Sequence, residues 1–294
     1  MMDINAKGRN SCTPVMHAAW AGQKNVFSLL VSQSVEKELL DLSRNNLLHL
    51  ACQGGNTSII KYLLPLFDIN SPGEDGWTPI MMAALSGKME AYELIVTNGG
   101  IPSLTTPQND NVLHAACQGG NKSIVRKVID NFGINTRGKN GCTPLMRAVV
   151  GGHMSLVKFL MSRDADHTLV DKDGLTLLHL ACKFGHLDIV KHISDKFNID
   201  VQDKGGLSCI MTSVLHGKVA VFDYLRSRGA DLTLVDSTGD DALNIALKVD
   251  CRQIIETLTS GGESKRNVKP LNDIMRSIMR ADVYYLTMYK PDRA

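Results

Sequence analysis

Two short motifs recur in this chain at a fixed spacing of 65 residues. The first, Thr-Pro-apolar-Met, begins at Thr13 and returns at Thr78 and Thr143. The second ends in Leu-His and recurs at His49, His114 and His179. Because the motifs alternate every 32 or 33 residues, the basic unit is about 33 residues long, and pairs of units are repeated four times. A chain with such a period is predicted to fold as an array of similar units that stack on one another.

Each unit is predicted to form a hairpin turn followed by two short helices. Asn140-Gly141 is typical of the turn, because Gly tolerates positive φ. Thr-Pro suits the start of the first helix, since the hydroxyl can cap it and Pro fits its first turn. Gly152 would end that helix, and Leu156 and Leu160 show the apolar spacing of the second. One unit cannot bury its own apolar face, so the predicted fold class is all-α, a solenoid of stacked helix-turn-helix units with hairpin loops.

These residues also match a known pattern, T-P-L-H-x-A-x-x-x-G-H. Leu175 to His186 reads LTLLHLACKFGH, with Leu177 at the Pro position, and Cys142 to His153 reads CTPLMRAVVGGH. The chain therefore resembles the ankyrin-repeat family over about eight repeats. The resemblance implies a repeat domain over residues 1–262, followed by a separate segment over residues 263–294. It also implies an interaction scaffold or adaptor that binds a protein partner in its concave groove.

One position departs from the family pattern. Odd repeats have methionine where the family has histidine, at Met16, Met81, Met146 and Met211. In the family this histidine resembles a hydrogen-bonding strut between neighbouring turns, whereas methionine only fills space. Two alternating types of interface between repeats are therefore expected. We interpret the alternation as a record of duplication of a two-repeat ancestor, without a direct role in binding.

Composition argues against several other classes of protein. The 32 basic and 30 acidic residues leave a formal net charge of +2, which does not favour a nucleic-acid partner. Seven cysteines without a CxxC pair indicate neither a disulfide framework nor a zinc ribbon, and free thiols fit a reducing compartment, the cytoplasm or the nucleus. The first residues have no apolar core of a signal peptide, and no apolar run is long enough to predict a membrane span.

No catalytic motif is present with the spacing that its chemistry requires. His49, His114 and His179 are each two repeats apart, too far to share a metal ion, and are interpreted as structural. Cys52 and its equivalents are interpreted as small buried apolar residues. The sequence therefore predicts no enzyme activity, no metal site and no cofactor.

The resemblance places the binding surface on the hairpin tips and on the exposed face of the first helices. Two anchors for an extended peptide or a long helix are predicted there, one in repeats one and three and one in repeats six and seven. The first anchor consists of Trp20, Trp77 and Leu85, and the second of Leu175, Phe184, Leu207 and Leu215. Lys183, next to Phe184, is also predicted to contact the partner. Large apolar side chains on a surface are frequent interface anchors. The alternative is that these side chains fold down onto adjacent repeats. Basic residues at the tips are either plain solvated surface or a rim that selects an acidic partner.

The segment after residue 262 leaves the repeat pattern. Leu271, Ile274 and Ile278 recur at helical spacing, which predicts an amphipathic helix after a polar linker. This helix is interpreted either as a cap over repeat eight, as a partner-binding helix, or as a connection to a further domain. The last option leaves an alternative function open, namely a regulatory or substrate-recruiting arm of a larger enzyme or membrane protein.

Overall fold

The computed structural model describes residues 4–33, 36 and 38–260, and its α-helices follow one another in pairs. The chain divides into two compact units, Met1–Lys172 and Asp173–Ala294. The first unit contains α1 (Pro14–Trp20), α2 (Lys24–Ser32), α3 (Leu47–Gly54), α4 (Thr57–Leu63), α5 (Pro79–Leu85), α6 (Met89–Thr97), α7 (Val112–Gln118), α8 (Lys122–Val128), α9 (Pro144–Val150) and α10 (Met154–Met161). The second contains α11 (Leu177–Phe184), α12 (Leu187–Ile193), α13 (Cys209–Leu215), α14 (Val219–Ser227), α15 (Ala242–Lys248) and α16 (Arg252–Ser260).

This architecture confirms the predicted all-α fold class. Within the described ranges the only β pairing is an isolated bridge between Gln202 and Ser208. The segment predicted to follow the repeats, residues 263–294, lies outside the described residues. Its amphipathic helix therefore stays a prediction.

Several first helices, among them α3 and α9, begin at a side-chain cap that the sequence supplies. At the start of α3, Asn46 Oδ1 accepts hydrogen bonds from the backbone N–H groups of Leu48 and His49, at 3.0 and 3.1 Å. At the start of α9, Thr143 Oγ1 accepts one from the N–H of Met146 at 3.3 Å. These bonds satisfy N–H groups that have no partner inside the helix.

Glycine follows the first helix, as predicted. Gly185 ends α11 with φ of +80°, a conformation that residues with a Cβ rarely adopt. All the glycines predicted at this position in the first seven repeats have positive φ: Gly22, Gly55, Gly87, Gly120, Gly152, Gly185 and Gly217.

Within each unit the first helices pack side by side, and the second helices cover them. In the first unit, α3 packs between α1 and α5. The ends of neighbouring first helices approach so closely that a Cβ atom at Gly119 would lie 1.7 Å from the Leu85 carbonyl oxygen. Ile59, Ile60 and Leu63 of α4 are fully buried against this layer. The apolar core thus runs between the two layers of helices.

Candidate protein-binding surface

The side chains at the ends of successive first helices form a row that is not buried in the apolar core. We call it the first-helix row. In the first unit it consists of Trp20, Gln53, Leu85, Gln118 and Val150. Trp20 is 51% exposed and the others are half-buried. Apolar side chains come from odd repeats and amides from even repeats, so the row follows the 65-residue period of the sequence.

Trp77 lies in a different place, at the base of the hairpin that precedes α5. Its carbonyl oxygen accepts the N–H of Gly73 at 2.7 Å, and its side chain is half-buried. Trp77 and Leu85 flank opposite ends of α5, roughly 12 Å apart at 1.5 Å per helical residue. Trp20 is two first helices away from Leu85. The residues of the first predicted anchor are therefore spread over α1 to α5 and do not form one cluster.

The second unit contributes three of the predicted residues to the same kind of surface. Lys183 and Phe184 end α11, and Leu215 ends α13. All three side chains are half-buried. Lys183 occupies the position of the amides and Leu215 that of the apolar residues in the first-helix row, whereas Phe184 adds an apolar ring from an even repeat.

Leu175 and Leu207 are not on this surface, and the prediction that they line an exposed apolar stripe is wrong. Their exposed fractions are 4% and 2%. Both occupy the hairpin-base position of Trp77. At this position the Leu207 carbonyl oxygen accepts the N–H of Asp203 at 3.0 Å, and the Leu207 N–H donates to Asp203 Oδ1 at 2.9 Å. The side chain of Trp77, at the same position, stays half-buried.

The three recurring histidines join repeats rather than bind a metal. His179 Nε2 lies 3.0 Å from the Leu207 carbonyl oxygen, and the Thr176 hydroxyl lies 2.9 Å from Nδ1. His49 Nε2 makes the equivalent contact to the Trp77 carbonyl oxygen at 3.1 Å, whereas His114 Nε2 lies 3.2 Å from the carbonyl oxygen of Thr136, six residues before the equivalent position. Burial lowers the pKa of His179 to about 4, so the ring is neutral at pH 7 and its Nε2–H donates to the carbonyl.

Methionine occupies the position of this histidine in the odd repeats. Met16, Met81, Met146 and Met211 are each 1% exposed. The thioether contacts its own helix cap, as in the 3.4 Å contact from the Thr13 N–H to Met16 Sδ. The Thr13 hydroxyl, expected to cap the helix, makes no hydrogen bond among the described residues. The structure thus contains the two predicted types of interface.

Groups suited to catalysis are few in the described ranges. No three side chains of His, Cys, Asp or Glu there are grouped so that they could hold a metal ion. Burial raises the pKa of the Cys52 and Cys117 thiols, which disfavours the reactive thiolate. Cys142 is also buried, with an exposed fraction of 8%. None of the described helices combines the length and the apolar character that crossing a membrane would need.

Sequence reasoning missed a buried ion pair beside the first-helix row. Arg147 Nη2 of α9 lies 3.2 and 3.1 Å from the two carboxylate oxygens of Asp110, at a hairpin base. Their side chains are 12% and 2% exposed. Two features of the sequence could have indicated this ion pair. Asp110 occupies the position that Trp77 and Leu207 fill in other repeats, and the next first helix contains Arg147.

Comparison with known families agrees with this architecture. The model of the ankyrin-repeat family, described as three copies of the repeat, matches residues 15–106, 90–171, 152–236 and 178–269 in overlapping stretches. The chain belongs to the ankyrin-repeat family. Its paired helices are therefore ankyrin-repeat helices, and the histidine links and the first-helix row are features of an ankyrin array.

Ankyrin-repeat relatives differ widely in length. The human transient receptor potential cation channel subfamily A member 1 is 27% identical over 268 residues, which cover 85% of this chain and 24% of that protein. The ankyrin repeat and KH domain-containing protein mask-1 of Caenorhabditis elegans is 28% identical over 158 residues, 52% of this chain and 6% of that protein. The human Notch-regulated ankyrin repeat-containing protein is 32% identical over 101 residues, 33% of this chain and 89% of that protein. The first two relatives are thus much longer than the part that this chain matches.

Proposed function

We propose that this ankyrin-repeat chain is an intracellular scaffold or adaptor that holds a segment of another protein along its first-helix row. The observation that carries the proposal is the exposure of Trp20. Its indole is 51% exposed, although Ala18 and Ala19 of the same helix are buried. Tryptophan is among the side chains that most often dominate the energy of a protein interface. Trp77 and Leu85 supply further partly accessible apolar surface in the same unit.

The alternation of the row indicates the shape of the partner. Neighbouring packed helices lie about 8–10 Å apart, so apolar side chains from odd repeats recur roughly every 20 Å. An extended strand covers that distance in about six residues. An extended peptide, or a long helix lying along the row, matches this spacing better than a compact epitope does.

The test starts from peptides selected against the full chain from a random library. Trp20→Ala and Trp77→Ala should each weaken a selected peptide by about 2 kcal/mol or more. Leu29→Ala is the matched control, because Leu29 is more exposed, at 62%, but belongs to the second helix α2. Peptides that bind the Trp20→Ala protein as well as the unchanged protein would contradict the proposal.

A core substitution separates binding from folding. Leu63 is fully buried in α4, so Leu63→Ala should cost roughly 2–5 kcal/mol of stability and leave binding by the folded fraction intact. Trp77→Ala should weaken partner binding and cost much less stability. If Trp77→Ala instead destabilises the protein as much as Leu63→Ala does and leaves binding by the folded fraction intact, Trp77 is a packing residue and does not belong to the binding surface.

A second candidate is a binding arm within a larger enzyme or membrane protein. The coverage of long relatives favours it, since this chain matches 24% of the human channel protein and 22% of a yeast palmitoyltransferase, AKR1 of Lachancea kluyveri. An antibody raised against this chain would distinguish the candidates in the native cell. A band near 32.1 kDa supports the adaptor, and a much larger band supports the arm.

A further inference from the structure

Gln118, the fourth side chain of the first-helix row, is held by the following repeat at two points. Its backbone carbonyl oxygen lies 2.8 Å from Nε2 of His153. Its side-chain oxygen Oε1 lies 3.4 Å from Nη1 of Arg147, a residue of α9. The Arg147 guanidinium is in turn fixed by both carboxylate oxygens of Asp110, whose side chain is 2% exposed. The Gln118 side chain therefore has a defined orientation at the end of α7.

The contact with Arg147 determines which way the Gln118 amide faces. Arginine carries only hydrogen-bond donors, so the amide atom that faces it is the oxygen. The amide nitrogen Nε2 then points away from Arg147. It makes no hydrogen bond to a described residue and it is not fully buried, so it is accessible to solvent. Gln118 thus presents two N–H donors from a half-buried position in the row.

The other even repeat at the same surface of the first unit lacks this arrangement. Gln53 occupies the position of Gln118, but Met82 occupies the position of Arg147 in the repeat that follows. The Gln53 side chain makes no hydrogen bond within the part of the chain that the structure describes. Folding of the repeats therefore does not require an oriented amide here, because the same chain packs α3 against α5 without one.

The surroundings of Gln118 favour a neutral acceptor on the partner. Its neighbours in the row are the apolar side chains of Leu85 and Val150, both half-buried. The positive charge of Arg147 is already matched by Asp110 at 3.1 Å. A partner carboxylate would lose its water there without gaining a counterion, which is costly. A peptide carbonyl group is neutral and accepts the same hydrogen bond at a lower cost of desolvation.

The need for an accessible carbonyl oxygen selects among the shapes that a partner segment can have. Inside an α-helix, every carbonyl oxygen before the last turn already accepts an N–H group of the helix itself. In an extended segment the carbonyl oxygens remain available to outside donors, as they are along the edge of a sheet. A long helix lying along the row would cover the Gln118 donors without giving them an acceptor, and this has a desolvation cost. An extended segment satisfies them.

We propose that Gln118 Nε2 donates a hydrogen bond to a main-chain carbonyl oxygen of an extended peptide segment on the first-helix row, and that Arg147 holds the amide in the required orientation. This inference rests on the proposed function and chooses the extended peptide over the long helix. The partner's apolar side chains contact Trp20 and Leu85, and its main chain contacts Gln118. Gln118 thus fixes the position of the segment without requiring a particular side chain at that point.

The experiment uses a peptide selected from a random library on the full chain, whose binding is weakened by Trp20→Ala. Gln118→Leu removes the donors without adding charge, and Gln118→Glu replaces the amide nitrogen with an acceptor but keeps an oxygen facing Arg147. Both should weaken binding, Gln118→Glu by about fivefold or more, because its carboxylate repels a carbonyl oxygen. Gln108→Glu is the matched control, since it adds the same charge at an exposed hairpin position before α7, and it should leave binding unchanged. Circular dichroism of each variant checks that it is folded.

A double-mutant cycle identifies the carbonyl that Gln118 contacts. In a series of peptides, each amide bond in turn is replaced by an ester, whose carbonyl oxygen is a weaker acceptor. One ester should weaken binding to the unchanged protein by about threefold or more and have no effect on binding to the Gln118→Leu protein.

Several outcomes would overturn the inference. They are equal binding by the unchanged and Gln118→Leu proteins, an effect of Gln108→Glu as large as that of Gln118→Glu, the absence of any ester coupled to Gln118, and a peptide that is helical in the complex by NMR. In each of these cases the dependence on Trp20 still supports the proposed function. A library that yields no Trp20-dependent peptide overturns both proposals, so the two failures are distinguishable.

Discussion

The buried pair of Asp110 and Arg147 is a residue-scale feature with a large expected effect on stability. The Asp110 carboxylate accepts hydrogen bonds from the Arg147 guanidinium and, at 3.1 Å, from the backbone N–H of Lys139. It therefore connects two repeats through one carboxylate. Removing the arginine leaves a buried negative charge without its counterion, which is more costly than never having had the pair.

Arg147→Ala should therefore destabilise the protein by about 3–5 kcal/mol in urea unfolding. Arg163→Ala is the control, because its pair with Asp130 has side chains that are 48% and 79% exposed. Such exposed pairs contribute about 0–1 kcal/mol. Similar losses of unfolding free energy from the two substitutions would show that burial does not determine how much the Arg147–Asp110 pair stabilises the protein.

At the scale of elements, the distance between neighbouring first helices depends on small residues at their ends. Gly119 follows α7, and its backbone has ordinary helical φ of −82°. The constraint on this residue is therefore not conformational. It is the Leu85 carbonyl oxygen at the end of α5, which would lie 1.7 Å from any Cβ atom.

Gly119→Ala should push α5 and α7 apart and cost about 1–3 kcal/mol of stability, as overpacking does in other cores. Gly133→Ala is the matched control, because Gly133 is exposed and no atom lies within 4 Å of its Cβ position. It should change stability by about 0.5 kcal/mol or less. Thermal unfolding of the two variants measures the difference. Equal unfolding midpoints for the two variants would mean that the ends of α5 and α7 can move apart without loss of stability.

These elements also show how far sequence reasoning reaches. Closing glycines and the helix pairs are local consequences of repeated residues such as Gly185, so the period predicts them. Capping hydrogen bonds are less regular, because the Thr143 hydroxyl accepts one and the equivalent Thr13 hydroxyl does not. Side-chain exposure is not local. Trp77 and Leu207 share a position in the repeat, yet one is half-buried and the other 2% exposed, so the position in the repeat does not by itself determine which side chain is covered.

At the scale of the whole molecule, stability should be distributed along the array. Within the first unit α4 contacts α2, α3 and α6, and within the second α16 contacts α14 and α15. Each helix thus depends on its nearest neighbours. In such arrays stability is approximately a sum of repeat terms and neighbour terms, so damage at one place stays local.

Deleting residues 264–294 tests this distribution together with the predicted cap. If the segment covers repeat eight, hydrogen exchange should accelerate in α15 and α16 and change little in α1 to α4. Leu63→Ala is the mirror experiment, since Leu63 is fully buried in α4 and its loss should accelerate exchange in α3, α4 and α6 while sparing α16. Unchanged protection of residues 241–260 after the deletion would show that the segment is not a cap. A role as a partner-binding helix would then account better for its amphipathic pattern, and the deletion should weaken partner binding instead of stability.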